Sequence, residues 1–123
     1  MSWDAWVAPL IPTFKAAAIF GLNGAPWANK GINASPAEVK TALSLFVDGA
    51  SPAFANGITI AGVKYLCVKA DSSSVYGKKG AEGCVLIKTK QAMVVGVYGE
   101  NTSAGNAANA AEKLADSLRG SGY

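Results

Sequence analysis

Among the side chains that most often supply nucleophiles, acid–base groups or metal ligands, the chain has two cysteines and eight carboxylic acids but no histidine. Without an imidazole there is no histidine-dependent triad and no histidine ligand for a metal. Cys67 and Cys84 do not form a CxxC pair, and the acids are scattered without the spacing of paired catalytic carboxylates. We therefore predict that the protein is not an enzyme and uses neither a metal nor a cofactor.

Positive charge is concentrated in one region of a chain whose formal net charge is only +3. Between residues 64 and 90 the acids are only Asp71 and Glu82. The lysines of this region are Lys64, Lys69, Lys78, Lys79, Lys88 and Lys90. Such a cluster is either a solvated sheet edge that resists aggregation or a surface for an acidic partner or an anionic lipid, and charge alone leaves both open. The mild net charge does not call for nucleic acid, and we expect no such partner.

Residues 77–80 (GKKG) stand inside the basic cluster. The two glycines predict a turn from which the ammonium groups of Lys78 and Lys79 project. The spacing differs from that of a phosphate-binding P-loop, so we predict no nucleotide site there.

Aromatic residues lie near both ends of the sequence, at Trp3, Trp6 and Tyr123. Either they pack a helix onto the core, which composition alone favours, or the two ends meet and form a surface for a ligand. If the first and last helices lie side by side on one sheet face, these rings line a shallow groove. A groove of this kind suits a proline-rich peptide in the polyproline II form, because that peptide stacks its rings on aromatic faces and is already extended.

The elements that would position these residues follow from apolar spacing and turn signals. Ser2 caps a short helix that ends near Leu10, and residues 15–20 with a strand from Trp27 form a hairpin. Ser35 caps a helix that runs to Gly49. A meander follows, with strands at 58–60, 63–68, 74–76, 84–88 and 93–98, and a closing helix covers 103–119.

This element order predicts an α+β fold in which helices from both ends clasp a sheet. A length of 123 residues indicates a single domain over 1–123. The longest apolar stretches fall short of the roughly 20 residues that span a membrane. The start of the chain lacks the basic region of a secretory signal, so we expect a cytoplasmic protein with free cysteines.

Five segments resemble profilins, and they are collinear over the whole chain. They are 2–7 (SWDAWV), 17–28 (AAIFGLNGAPWA), 60–65 (IAGVKY), 76–85 (YGKKGAEGCV) and 111–118 (AEKLADSL). The length and the order of the segments are as in the compact profilins of unicellular eukaryotes. The resemblance implies a central antiparallel sheet with the N- and C-terminal helices on one face and shorter helices on the other. It also implies a monomeric protein of the cytoskeleton that binds monomeric actin, regulates its polymerisation and nucleotide exchange, and delivers it to proline-rich ligands.

The resemblance also implies where proline-rich segments of nucleators or elongation factors bind. That site carries over to Trp3, Trp6, Trp27, Leu118 and Tyr123. Profilins usually have tyrosine where this chain has Trp6, and an aromatic residue or histidine is common where it has Ser117. The first change moves the polar atom from a phenol O–H to an indole N–H and the second removes stacking area, so we expect weaker binding of proline runs or binding that demands a longer run.

A second surface is implied for actin, on the outer strands, the short helix before them and the start of the last helix. It maps to Phe54, Ala55, Asn56, Lys64, Lys69, Lys78, Lys79, Thr102, Ser103, Gly105, Asn109 and Lys113. Phosphoinositide membranes are implied as a secondary partner, through Lys78, Lys79 and Lys88. The alternative is a profilin-like scaffold that binds only proline-rich peptides or phosphoinositides and has no actin function.

Overall fold

An antiparallel sheet organises the molecule in the computed structural model, which describes residues 4–11, 13–47 and 51–123. Within those residues the sheet has seven strands, in the order β2-β1-β7-β6-β5-β4-β3. The strands are β1 (Ala16–Gly21), β2 (Pro26–Lys30), β3 (Ile58–Ile60), β4 (Val63–Ala70), β5 (Ser74–Lys79), β6 (Glu82–Lys88) and β7 (Ala92–Tyr98). Every neighbouring pair is antiparallel, which confirms the predicted hairpin and meander.

Helices cover the two faces of the sheet. One apolar cluster joins α1 (Asp4–Val7), the 3-10 turn Ala8–Leu10 and α4 (Ala104–Gly120) to one face. The other joins α2 (Pro36–Leu43) and α3 (Pro52–Asn56) to the opposite face. Successive residues of β6 and β7 alternate between the two clusters, as the period of two in a strand requires. The predicted α+β architecture is confirmed.

Serine caps begin three of the helices. The Oγ atom of Ser35 accepts a hydrogen bond from the Glu38 N–H at 3.1 Å, and that of Ser103 accepts one from the Asn106 N–H at 3.1 Å. Ser51 caps α3 in the same way, through the Ala53 N–H at 3.2 Å. The chain pattern did not predict α3, although Ser51 is followed by proline just as Ser35 is.

Two sequence expectations are corrected by the structure. Helix α2 ends at Leu43 rather than at Gly49, because the Ser44 hydroxyl and N–H turn back to donate to carbonyls of the last helical turn. Residues 77–79 are not a turn: they continue β5 against β6, and the chain turns at Gly80, whose φ is +62°. The expected Ser2 cap and Gly49 lie outside the described residues.

The two cysteines are free thiols. Cys67 pairs in register with Gly77, which pairs with Cys84, so the Cα atoms of the two cysteines lie two strand spacings apart, about 10 Å, too far for a disulfide. Burial raises the pKa of Cys84 to about 12 and also raises that of Cys67. None of the described helices is long and apolar enough to cross a membrane.

These thiols should differ in reactivity with Ellman's reagent near pH 8. Cys84 is fully buried and Cys67 is partly exposed, so we expect slow labelling of Cys67 and labelling of Cys84 only after unfolding. Mass spectrometry of the labelled peptides identifies the site. Prompt labelling of Cys84 in the folded protein would contradict this burial.

Candidate binding surfaces

A shallow groove of about 520 Å³ lies between α1 with its 3-10 turn and α4, and we call it the terminal-helix groove. The described residues that line it are Ala5, Trp6, Pro9, Leu10, Ala110, Lys113, Leu114 and Ser117. Thr102 fixes one end of the helix pair, since its hydroxyl donates to the Thr13 carbonyl at 2.8 Å. The lining is almost entirely apolar, as expected of a site that stacks and packs rather than one that does chemistry.

Trp27 and Tyr123 meet at the opposite end of α4. Their ring centroids are 6.1 Å apart with an interplanar angle of 79°, an edge-to-face contact. Hydrogen bonds to the main chain of Tyr123 hold this residue in place. Its N–H donates to the Leu118 carbonyl at 2.8 Å, and the Thr89 hydroxyl donates to its main-chain oxygen at 2.9 Å. The Gln91 N–H donates to the same oxygen. The aromatic end of the chain is therefore built into the fold.

Gly21 makes room for Trp27. A Cβ atom at Gly21 would lie 2.7 Å from the indole Nε1 of Trp27, closer than such atoms approach one another. The indole therefore packs over bare backbone at the end of β1. This contact sets the position of one of the rings that the resemblance to profilins assigns to a ligand.

A second surface combines α3 with β4 and β5, and we call it the α3–β4–β5 face. Its cleft has a volume of about 360 Å³ and is lined by Phe54, Ala55, Asn56, Gly57, Lys64, Tyr65, Leu66, Lys78 and Lys79. Two large apolar side chains are open to water there, Phe54 with 54% and Leu66 with 71% of its surface exposed. Exposed apolar groups ringed by lysines are typical of a protein interface.

A polar contact ties α4 to this half of the sheet. The Tyr76 hydroxyl donates to Glu112 Oε2 at 2.7 Å, and the Ser74 hydroxyl donates to the same oxygen at 3.2 Å. Burial, followed by the Glu112 carboxylate, raises the pKa of Tyr76 to about 12. Lys69 Nζ lies 5.1 Å from the centre of the Tyr76 ring, a cation–π contact that holds this lysine beside β5.

The comparisons with known proteins decide the family. The family model described as Profilin matches residues 1–123. The chain belongs to the profilin family. It is 44% identical over 127 residues to Profilin-1A of Acanthamoeba castellanii, with 100% of both chains covered. Profilins are actin-binding proteins.

Solved profilin structures share this fold. The crystal structure of Acanthamoeba castellanii profilin II matches with a TM-score of 0.88 at 39% identity, over 99% of this chain and 100% of that one. Mouse profilin IIa, solved in complex with a double repeat from the FH1 domain of mDia1, matches with a TM-score of 0.79 over 100% of both chains. At 21% identity the mouse protein shows the shared fold alone.

The residues that the profilin resemblance assigns to proline-rich ligands are only partly brought together. Trp6 is half-buried in the terminal-helix groove, while Trp27 and Tyr123 touch each other beyond it. Leu118 has no exposed surface, so it supports the groove from below and has no face to offer a ligand. Trp3 lies outside the described residues. Pro9, Leu10, Ala110 and Leu114 line the groove and were not predicted.

The residues assigned to actin fall into four places. Six of them line the α3–β4–β5 face, namely Phe54, Ala55, Asn56, Lys64, Lys78 and Lys79. Thr102 lines a neighbouring cleft with Lys79, and Ser103, Gly105 and Asn109 are exposed in the cap and first turns of α4. Lys69 is exposed on β4, beside the Tyr76 ring. Lys113 instead lines the terminal-helix groove. The prediction missed Leu66 and Val68, because an apolar run in a strand predicts buried side chains and these two are exposed.

The three lysines assigned to phosphoinositides do not form one site. Lys78 and Lys79 end β5, opposite Gly83 and Glu82 at the start of β6. Lys88 is the last residue of β6, about 16 Å away at the strand rise of roughly 3.3 Å per residue. The antiparallel register thus places Lys88 at the opposite end of the β5–β6 pair from Lys78 and Lys79, beside Arg119 and Lys90.

Proposed function

We propose that this profilin binds monomeric actin on the α3–β4–β5 face and proline-rich peptides at the terminal-helix groove with Trp27 and Tyr123. It thereby delivers actin to proline-rich nucleators or elongation factors, as a cytoplasmic regulator of the cytoskeleton. One observation carries the proposal: the residues that line the groove and those that line the α3–β4–β5 face do not overlap. Both partners can therefore be held at once.

The α3–β4–β5 face has two parts suited to a protein partner. Phe54 and Leu66 supply apolar area that loses water on binding, which is where most interface energy originates. Lys64, Lys78 and Lys79 surround that area and favour an acidic surface. Such charges raise the association rate and fix the orientation more than they raise the affinity.

The terminal-helix groove suits an extended proline-rich peptide. Such a peptide keeps its carbonyl groups free as acceptors and loses little entropy on binding. Trp6, Trp27 and Tyr123 supply aromatic faces for the pyrrolidine rings. The complex of mouse profilin IIa with an FH1 repeat of mDia1 supports a peptide ligand for this fold.

The effect on actin nucleotide exchange needs no chemistry from this chain. A protein that binds the open form of the actin cleft better than the closed form shifts the population toward the open form. Exchange then becomes faster while the nucleotide stays on actin. In this role the profilin selects the open conformation of actin.

A pyrene-actin assembly assay tests the proposal. We expect the protein to delay spontaneous nucleation because it holds actin monomers, and to permit elongation when a proline-rich nucleator is added. Assembly identical to that of actin alone, both with and without the nucleator, would overturn the actin function. The protein would then be a scaffold that binds only peptides or lipids.

Reversal of one charge should separate the two surfaces. Lys79→Glu places an acid in the α3–β4–β5 face, and we expect actin binding to weaken by about fivefold to tenfold with proline binding unchanged. Lys40→Glu is the matched control, because Lys40 is exposed on α2, away from both surfaces. Sedimentation of actin and tryptophan fluorescence give the two affinities. Equal loss of both would mean that the variant is misfolded.

A secondary binding of phosphoinositides is proposed at Lys78 and Lys79, which are exposed and adjacent in sequence. Attraction to an anionic membrane is worth about 1 kcal/mol per charge and falls with salt. Because both lysines line the α3–β4–β5 face, lipid and actin should compete. Co-sedimentation with vesicles that contain or lack phosphoinositide tests this binding. Equal binding to both kinds of vesicle would contradict a phosphoinositide site.

A further inference from the structure

The Glu38 side chain on α2 joins that helix to the turn between β3 and β4. Its Oε1 accepts a hydrogen bond from the Ala61 N–H, and its Oε2 accepts one from the Gly62 N–H at 3.1 Å. A glutamate three residues after a serine cap usually turns back to the N–H of that cap. Here both carboxylate oxygens bind N–H groups that lie 23 and 24 residues further along the chain. The contact therefore connects two separate elements of the fold.

The turn that Glu38 binds has an unfavourable backbone conformation. Ala61 and Gly62 connect the paired residues Ile60 and Val63, and their φ angles are +53° and +78°. Glycine adopts a positive φ freely, whereas alanine meets a steric cost. Ala61 is the one non-glycine residue with a positive φ in the part of the chain that the structure describes. The carboxylate offsets this cost, because consecutive N–H groups in a turn form a concave site for an anion.

The hairpin of β3 and β4 supports the α3–β4–β5 face. One arm follows α3, which carries Phe54, and the other arm carries Lys64 and Leu66. Since β3 is the last strand in the sheet order, the turn affects how α3 stands relative to β4. Lys64 lies three residues beyond Ala61, roughly 10 Å along the strand. Neither Glu38 nor the turn is among the described residues that line the face.

We propose that Glu38 is a positioning residue for the α3–β4–β5 face. Its carboxylate keeps the turn at Ala61 and Gly62 in the left-handed conformation, and this fixes the placement of α3 against β4. The role rests on the proposed binding of actin to that face. Glu38 touches no partner in this role, so its loss should loosen one surface and leave the terminal-helix groove intact.

Glu38→Gln tests the role, because glutamine keeps the length of the side chain but replaces one acceptor oxygen by an NH2 group that can only donate. We expect the NMR signals of the Ala61 and Gly62 N–H groups to shift and their hydrogen exchange to accelerate. Affinity for monomeric actin should fall about threefold to fivefold, as the loss of one hydrogen bond implies, with the proline titration unchanged. Lys40→Gln, an exposed change on the same helix, should alter none of these.

A second substitution shows whether the effect passes through the turn. Asparagine suits a left-handed turn position before glycine, so Ala61→Asn makes the turn less dependent on Glu38. Combined with Ala61→Asn, Glu38→Gln should lower actin affinity by less than about twofold relative to Ala61→Asn alone.

Several results would overturn the role of Glu38. They are unchanged exchange at Ala61 and Gly62 in Glu38→Gln, altered exchange with full actin affinity, or a parallel loss of actin and proline affinity. An equal loss of actin affinity with and without Ala61→Asn would mean that Glu38 acts by direct contact and would also overturn it. If the unaltered protein fails to bind actin, the proposed function fails and this role with it, a result distinct from the others.

Discussion

Trp27→Ala is expected to weaken binding of a proline run by roughly 30-fold, the effect of losing about 2 kcal/mol at an interface hot spot. The indole contributes a flat surface to the ligand, and its edge contact with Tyr123, 6.1 Å between centroids, also orients that ring. Removal of the indole therefore affects two rings of the proposed peptide site. Tryptophan fluorescence from the remaining residues, or calorimetry, measures the loss.

A matched aromatic removal on the other surface provides the control for Trp27→Ala. Phe54 is 54% exposed on the α3–β4–β5 face, so Phe54→Ala should fold normally. It should weaken actin binding and leave the proline titration unchanged. A Trp27→Ala variant that folds and still binds the proline run with full affinity would contradict the peptide site.

Leu118→Ala is expected to lower the free energy of unfolding by about 2–5 kcal/mol. Leu118 has no exposed surface and belongs to the apolar cluster between α4 and the sheet, with Val85 and Ala111. The truncation removes buried methyl groups and leaves a cavity beneath the groove. Urea unfolding followed by circular dichroism measures the change.

Leu66→Ala is the matched control for Leu118→Ala, because Leu66 has 71% of its surface exposed. The same chemical truncation should change the free energy of unfolding by no more than about 0.5 kcal/mol there. A loss below about 1 kcal/mol for Leu118→Ala would show that this side chain is not a core residue. It would then return to the set of ligand contacts, where the family resemblance places it.

The elements predicted well are those that local signals specify. The meander is separated by turn residues, and α4 has both a serine cap and a continuous apolar stripe from Ala107 to Leu118. Helix α3 was missed from the pattern because its five residues are too few to show a helical period. Its signal was the serine cap with proline, the same one that marks α2.

The candidate sites were less predictable, since they depend on which side chains stay exposed. Leu66 and Val68 alternate along β4 with the more buried Tyr65 and Cys67, so an apolar run that predicts a buried strand leaves these two side chains open to water. The resemblance to profilins supplied residue positions without their exposure. Leu118, assigned to the peptide site, is buried, and Lys113, assigned to actin, lines the terminal-helix groove.

The central claim, that two partners bind at once on separate surfaces, is tested most directly with immobilised poly-L-proline and monomeric actin. The account predicts that the resin retains actin only when the protein is present. Lys79→Glu should stay on the resin with less actin, and Trp27→Ala should leave both in solution. Displacement of the protein from the resin by actin, or retention of the protein without any actin, would contradict the account.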